Sequence, residues 1–223
     1  MKVIANKHRF TLGFGVFLCL GLLLTGCTAL PAPPQRPVVY DFGPALPRGP
    51  LAPSTAALAP VLLAAVEATP AFDGPALLYR DAAAGVQQLR PYALARWGAS
   101  PAQLIRARLR ARLGEERAVL SPGEGAAPMA LRVQVEEFSQ VFDAAPAHGA
   151  AAPSRAVVRL RATLSDTTGP RPKLLAQRLF EAERPAPSAD AAGGVQALTA
   201  ATDAALDSLA QWLRELQPPA SRP

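Results

Sequence analysis

Nucleophilic, acid–base and metal chemistry is usually built from histidine, cysteine and closely placed carboxylates, and this chain is short of the first two. Its 223 residues hold two cysteines, Cys19 and Cys27, and two histidines, His8 and His148. Three of these four lie in the first 27 residues, and His148 stands alone in AAPAHGAAAP, where a solvated loop residue is the ordinary reading. Glu136 and Glu137 are adjacent, so on a regular strand they point to opposite faces and form no acid–base dyad. There is no GxGxxG, no phosphate-cradling GxxxxGK[ST], no GxSxG and no His/Cys cluster at metal-ligand spacing. The sequence therefore predicts no catalytic, cofactor-binding or metal-binding residue, and no enzyme.

The one reactive group with a context is Cys27. Lys2, Lys7 and Arg9 precede an apolar run from Phe10 to Leu24, which ends at the small residues Thr25 and Gly26. That run is shorter than the ~20 residues needed to span a bilayer, and its order of basic, apolar and small residues is that of a secretion signal. LTGC, residues 24–27, resembles the lipobox of bacterial lipoproteins. The resemblance implies cleavage between Gly26 and Cys27, a diacylglycerol thioether on Cys27 and an acyl group on its new amine. Each buried CH₂ of such chains contributes ~0.8 kcal/mol, so two or three chains anchor a domain durably. Residue 28 is Thr. An Asp there would resemble the inner-membrane retention signal of Gram-negative envelopes, so the expected location is the periplasmic leaflet of the outer membrane.

Removing residues 1–26 takes away three cations and no acid, which lowers the formal charge from +6 to +3. Twenty cations against 17 acids is too even for a nucleic-acid footprint, which needs a clustered basic face. With Cys19 removed and Cys27 lipidated, no disulfide can form in the mature chain.

The expected organisation is a signal peptide at 1–26, a lipidated Cys and Pro-rich tether at 27–37, one folded domain at 38–217 and a disordered tail at 218–223. The tether TALPAPPQRP is expected to run extended at ~3.1 Å per residue. Alternating or Pro/Gly-bounded apolar runs predict strands near 38–43, 61–68, 76–80, 129–142, 155–165 and 173–183. Helices are predicted near 101–113 and 195–216. The first opens with SPAQ, which places Ser100 at the N-cap, Pro101 at N1 and Gln103 at N3. Its Ala102, Ile105, Leu109 and Leu113 form one stripe. The second gathers Val195, Leu198, Ala205, Leu209, Trp212, Leu213 and Leu216 on one side and Asp203, Asp207, Gln211 and Arg214 on the other. Runs of strands with few helices predict an α+β fold, a largely antiparallel sheet with two main helices packed on one face.

Two charged sets remain as candidate working surfaces. Arg106, Arg108, Arg110 and Arg112 flank the apolar stripe of the first helix. They read either as snorkelling side chains with their heads in water or as a patch for acidic lipid or a partner protein. Arg132, Glu136, Arg159 and Arg161 are expected on the outer sheet face, where acids on one strand meet arginines on its neighbour. This face and the Pro-rich loops at 44–59 and 143–154 are the expected partner surfaces.

Taken in order, ALLYRD (76–81), LRPYALARW (89–97), SPAQLI (100–105), LRVQVEEFSQVF (131–142), RLRATL (159–164) and LDSLAQWL (206–213) resemble the ABC-type transport auxiliary lipoproteins. These include paraquat-inducible lipoprotein C and are partners of MCE-type lipid transport systems. The resemblance spans roughly residues 38–216. It implies a component that docks at its membrane an MCE-domain protein and, through it, an ABC permease and ATPase, with no cofactor. A homo-oligomer is compatible with it. Two other classes stay open: a structural or assembly lipoprotein of another envelope machine, and an enzyme whose site is built from Asp, Glu, Ser and Tyr.

Overall fold

The computed structural model describes residues 35–44, 58–144 and 152–216. Gly26 and Cys27, the tether through Pro34, His148, the tail at 218–223 and most of the loops at 44–59 and 143–154 lie outside these residues. The chain divides between Gln35 and Arg36 into two units, and every element belongs to the second.

In chain order these are β1 (Val38–Tyr40), β2 (Val61–Ala68), a 3₁₀ turn (Pro70–Phe72), β3 (Ala76–Asp81), β4 (Leu89–Trp97), α1 (Pro101–Gly114), β5 (Val119–Leu120), β6 (Met129–Phe142), β7 (Ser154–Asp166), β8 (Lys173–Pro185) and α2 (Ala191–Leu216). The fold is α+β, with one mixed, mostly antiparallel open sheet of eight strands. Its trunk is β6. The meander of β6, β7 and β8 is antiparallel along its whole length. The other edge of β6 carries two parallel strands end to end, β2 against 129–135 and β3 against 140–142. β4 runs antiparallel to β3, β1 parallel to β4, and β5 parallel to β2.

Alternation explains the sheet's two faces. Leu131, Val133 and Val135 of β6 and Val158, Leu160, Ala162 and Leu164 of β7 are fully buried, while Arg132 and Gln134 between them are exposed. Each buried Val or Leu contributes roughly 1.5–3 kcal/mol by leaving water. Both helices cover this inner face: α1 packs on β2 and β6, α2 on β6, β7 and β8, and the two touch each other. The capping box of α1 forms as predicted, with Ser100 Oγ accepting from the Gln103 amide at 3.4 Å and Gln103 Oε1 accepting from the Ser100 amide at 3.2 Å. Ile105, Leu109 and Leu113 are fully buried, and Trp212 of α2 packs edge-on against Phe180 at 5.6 Å.

The differences from the sequence pattern have local causes. β4 escapes it because Pro91 interrupts the run and the strand's inner residues are few, and β5 is only two residues long. β8 is an edge strand with only Phe180 buried, rather than half-buried throughout. α2 begins at Ala191, four residues earlier than its apolar stripe. Gly193 and Gly194 lie inside this first turn, where a Cβ on Gly194 would stand 2.0 Å from Gln140 Oε1 and one on Gly193 would stand 2.1 Å from the Ser188 carbonyl oxygen. Gly194 thus allows close approach of the helix to its sheet, and Gly193 close approach to the segment that leads into the helix.

Candidate functional site

Arg108 and Arg112 serve neither of the two roles open to the α1 arginines. Arg108 and Arg112 are buried at 9% and 8% exposure and face α2. Arg108 meets Asp203 through two parallel hydrogen bonds of 2.8 and 3.1 Å, the fork geometry that makes arginine–carboxylate pairs strong. One turn on, Arg112 donates to Asp207 at 2.7 Å and to Glu116 at 2.6 Å, and Glu116 also accepts from Arg214 at 2.5 Å. Burial works against the Arg112 charge, but its hydrogen bonds to Asp207 and Glu116 hold its pKa above the ordinary value. Burial likewise opposes the Glu116 charge, and the hydrogen bonds from Arg112 and Arg214 outweigh it, holding that carboxyl below the ordinary glutamate range. Arg106 donates to the Leu63 carbonyl, and Arg110 to Ser121 and Glu124. The acids that an amphipathic reading sends to solvent are thus a ladder locking α2 to α1.

On the outer face the predicted residues do converge, already paired. Arg161 donates to Glu136 at 2.5 Å and Arg159 to Glu181 at 2.8 Å, while Arg132 is exposed. These hydrogen bonds raise both arginine pKa values and lower that of Glu181. Glu136 and Glu137 do not take opposite faces. The register of β6 on β7 shifts between Val135 and Glu137, and this bulge, which sets two residues against one, turns both to the outer side. Glu137 stands opposite Arg159 and accepts from Arg80 at 3.0 Å. Arg155 adds pairs to Asp143 and Glu183. The face is charged but supplies most of its own counter-charges.

A concave feature lies elsewhere, where no sequence signal pointed. A cleft of about 710 Å³ runs between residues 39–44 and the first half of α2. One wall is Val39 to Pro44 in unbroken succession; the other is a helical stripe of Val195, Gln196, Thr199, Ala200 and Asp203, with Arg108 between them. Phe42 anchors the first wall by packing against Trp97 and Phe138, with ring centroids 5.6 and 6.2 Å away. Gly43 takes φ +62, a left-handed turn suited to glycine, and donates its amide to Asp41 Oδ1 at 2.7 Å. Arg108 also donates to the Phe42 and Gly43 carbonyls at 3.5 and 3.4 Å, so the ladder that joins the helices also holds the cleft's rim. The consecutive Val38 and Val39 beside it are both about half exposed, at 54% and 53%.

Among the described residues, no group of three or more His, Cys, Asp or Glu side chains is placed to hold a metal ion, and no helix is long and apolar enough to cross a membrane.

Residues 40–210 match the family model of ABC-type transport auxiliary lipoprotein components. The fold is similar to the crystal structure of a Xanthomonas campestris protein of the DUF330 family, with TM-score 0.67 and 19% identity, covering 80% of this chain and 95% of that one. It is also similar to the crystal structure of an uncharacterized protein, with TM-score 0.60 and 15% identity, covering 80% of this chain and 99% of that one. No curated protein matches the chain at a significant level.

Proposed function

The chain belongs to the family of ABC-type transport auxiliary lipoprotein components, and from that premise we propose that it docks an MCE-type lipid transport system at its membrane without catalysing a reaction. The family match across nearly the whole folded domain carries this reading. LTGC supports the rest of it: a signal peptide removed at Gly26, a lipid on Cys27 and a tether through residue 37. In this reading the domain at 38–217 stands in the periplasm, held to the inner leaflet of a Gram-negative outer membrane. An MCE-domain protein is its direct partner, and an ABC permease and ATPase act through that protein. Arg132, Glu136, Arg159 and Arg161 form one contact surface, and rim charges of this kind act mainly on association rate and salt dependence.

The test is recovery of partners by the tagged, lipidated chain, followed by mass spectrometry. The wild-type chain is expected to recover an MCE-domain protein with its permease and ATPase. Arg159→Glu with Arg161→Glu is expected to weaken that recovery while the thermal midpoint stays within a few degrees. Recovery of porin-assembly or secretion factors instead would establish the alternative, a structural lipoprotein of another envelope machine. Cys27→Ser is expected to abolish palmitate incorporation, and unchanged labelling would overturn the anchor.

A further inference from the structure

Val39 and Tyr40, neighbours in β1 whose side chains point to opposite faces of the strand, both line the cleft, and its wall continues through the loop residues 41–44. Two strand neighbours of opposite facing border one space where that space lies along the backbone edge. β1 pairs with β4 alone, which leaves its other edge unpaired among the described residues. The direction of its backbone groups follows from the ladder. The Tyr40 carbonyl accepts from the Gly98 amide at 2.7 Å, and Tyr40 stands opposite Trp97 in a parallel pairing. In a parallel ladder alternate residues direct both their amide groups to the same neighbour. Val38 and Tyr40 therefore face β4, and Val39 directs its N–H and C=O groups to the other edge.

An open strand edge facing a helix across a trough is the arrangement in which an extended peptide can add to a sheet, main-chain hydrogen bonds giving affinity and side-chain pockets giving specificity. The walls here favour one kind of peptide. Val195 and Ala200 offer apolar contact from the helix, and Thr199 a short side chain that leaves room. Two acids and one base line the cleft. Arg108 is engaged by Asp203 and by two rim carbonyls, which leaves Asp41, exposed and bonded only to an amide, as the uncompensated charge.

We propose that this cleft is a strand-addition site. An extended segment of a partner protein pairs with the free edge of β1, lays small apolar side chains against α2 and sets a lysine or arginine against Asp41. The chemistry of the occupant rests on the cleft itself; that the segment belongs to a transport-system subunit rests on the docking reading above.

The variant that isolates the edge is Val39→Pro. Proline removes the one amide proton that faces the cleft and leaves the β4 ladder intact, and edge strands tolerate it at such positions. The probe is fluorescein-labelled acetyl-Thr-Val-Lys-Val-Thr-amide, titrated against the lipidated full chain in detergent micelles. Its control is the same peptide N-methylated at alternate residues, which keeps the side chains and removes the donors. Saturable binding is expected for the first and none for the second. Val39→Pro is expected to weaken binding about tenfold, as loss of a main-chain hydrogen bond implies, and Asp41→Lys by a similar factor with its salt dependence reversed. A second variant, Ala200→Trp, fills the trough from the helix side and is expected to abolish binding without touching β1. Equal binding of both peptides, or unchanged binding by Val39→Pro and Ala200→Trp, overturns the site.

A photocrosslinker at Gln196 then identifies the occupant in cells. An adduct mapped by mass spectrometry to an extended segment of a transport subunit supports the assignment. An adduct within the same chain or between two copies overturns it. If the wild-type chain recovers no transport subunit, the docking reading falls while the peptide titration still decides the site. If Val39→Pro recovers the subunits as well as wild type does, docking stands and the role assigned to the cleft falls.

Discussion

Two arginine pairs in this protein are alike in composition and opposite in circumstance. Arg108 and Arg112 lie one turn apart on α1 and face aspartates on α2; Arg159 and Arg161 lie two residues apart on β7 and face glutamates on β6 and β8. The first two are about 9% exposed, the second two about 38%. Buried charges that lose a partner keep their desolvation cost, whereas exposed ones fall back on water. The same residue type is therefore structural in one layer and replaceable in the other, and what separates the two is the layer above: a second helix in one case, solvent in the other.

Breaking the buried pair has the largest expected effect. Asp203→Ala leaves Arg108 without its carboxylate between the helices and is expected to cost about 3 kcal/mol, a drop in Tm of about 6–12 °C at this chain length. Calorimetry of the single variant measures it, and a loss under 1 kcal/mol would show that water reaches the pair. The next largest sharpens the rule with a charge that never had a partner. Arg117, just after α1, is 6% exposed, and none of its guanidinium nitrogens has a hydrogen-bond partner among the described residues. Burial pulls its pKa down, with Glu116 raising and Arg214 lowering it in smaller measure. Arg117→Met keeps the packing stem and removes the charge, so it is expected to raise stability by about 1–2 kcal/mol. An unchanged or lower Tm would mean the guanidinium is satisfied in solution.

Acid separates the layers further. Because the folded-state pKa of Glu116 is depressed, its contribution is fully present above the ordinary glutamate value of about 4.3 and is lost as pH falls through the lower native one. The Tm gap between wild type and Glu116→Gln is expected to be constant near neutrality and to close below that window; a gap that stayed constant to low pH would contradict the ladder. The smallest effect belongs to the outer face. Arg159→Ala is expected to leave Tm within about 2 °C, and less in high salt, because an exposed pair is weak and screened.

The strands of the β6–β7–β8 meander and both helices were legible because long alternating or periodic runs report which side is buried. β4 was not, since a proline in a strand held by neighbours on both sides resembles a break. The start of α2 was hidden for the converse reason, glycines chosen for contact rather than for bending. Among the candidate sites, the outer-face charges were readable from Arg132, Glu136, Arg159 and Arg161, although the bulge that brings Glu137 to the same side was not. The partners of the α2 aspartates were not readable, because periodicity records which side of a helix is polar and not what lies opposite. The cleft left almost no trace, for it is made by the meeting of a three-residue strand and a helix more than 150 positions later.

The end-to-end seating of β2 and β3 on one edge of β6 also bears on the order in which the domain assembles. The β6–β7–β8 meander closes through short-range contacts, whereas β2 and β3 pair with a strand that follows them by a long crossover through β4, α1 and β5. Contacts of long sequence separation form late and slowly. β1 is further out still, reaching β6 only through β4 and β3. As a three-residue edge strand held through β4 alone, β1 is expected to open more readily than the meander, so its amides should exchange with solvent deuterons well before those of β6 and β7. A binding edge placed at the periphery of the folding hierarchy can peel away and reseat around an incoming chain while the meander beneath it stays intact.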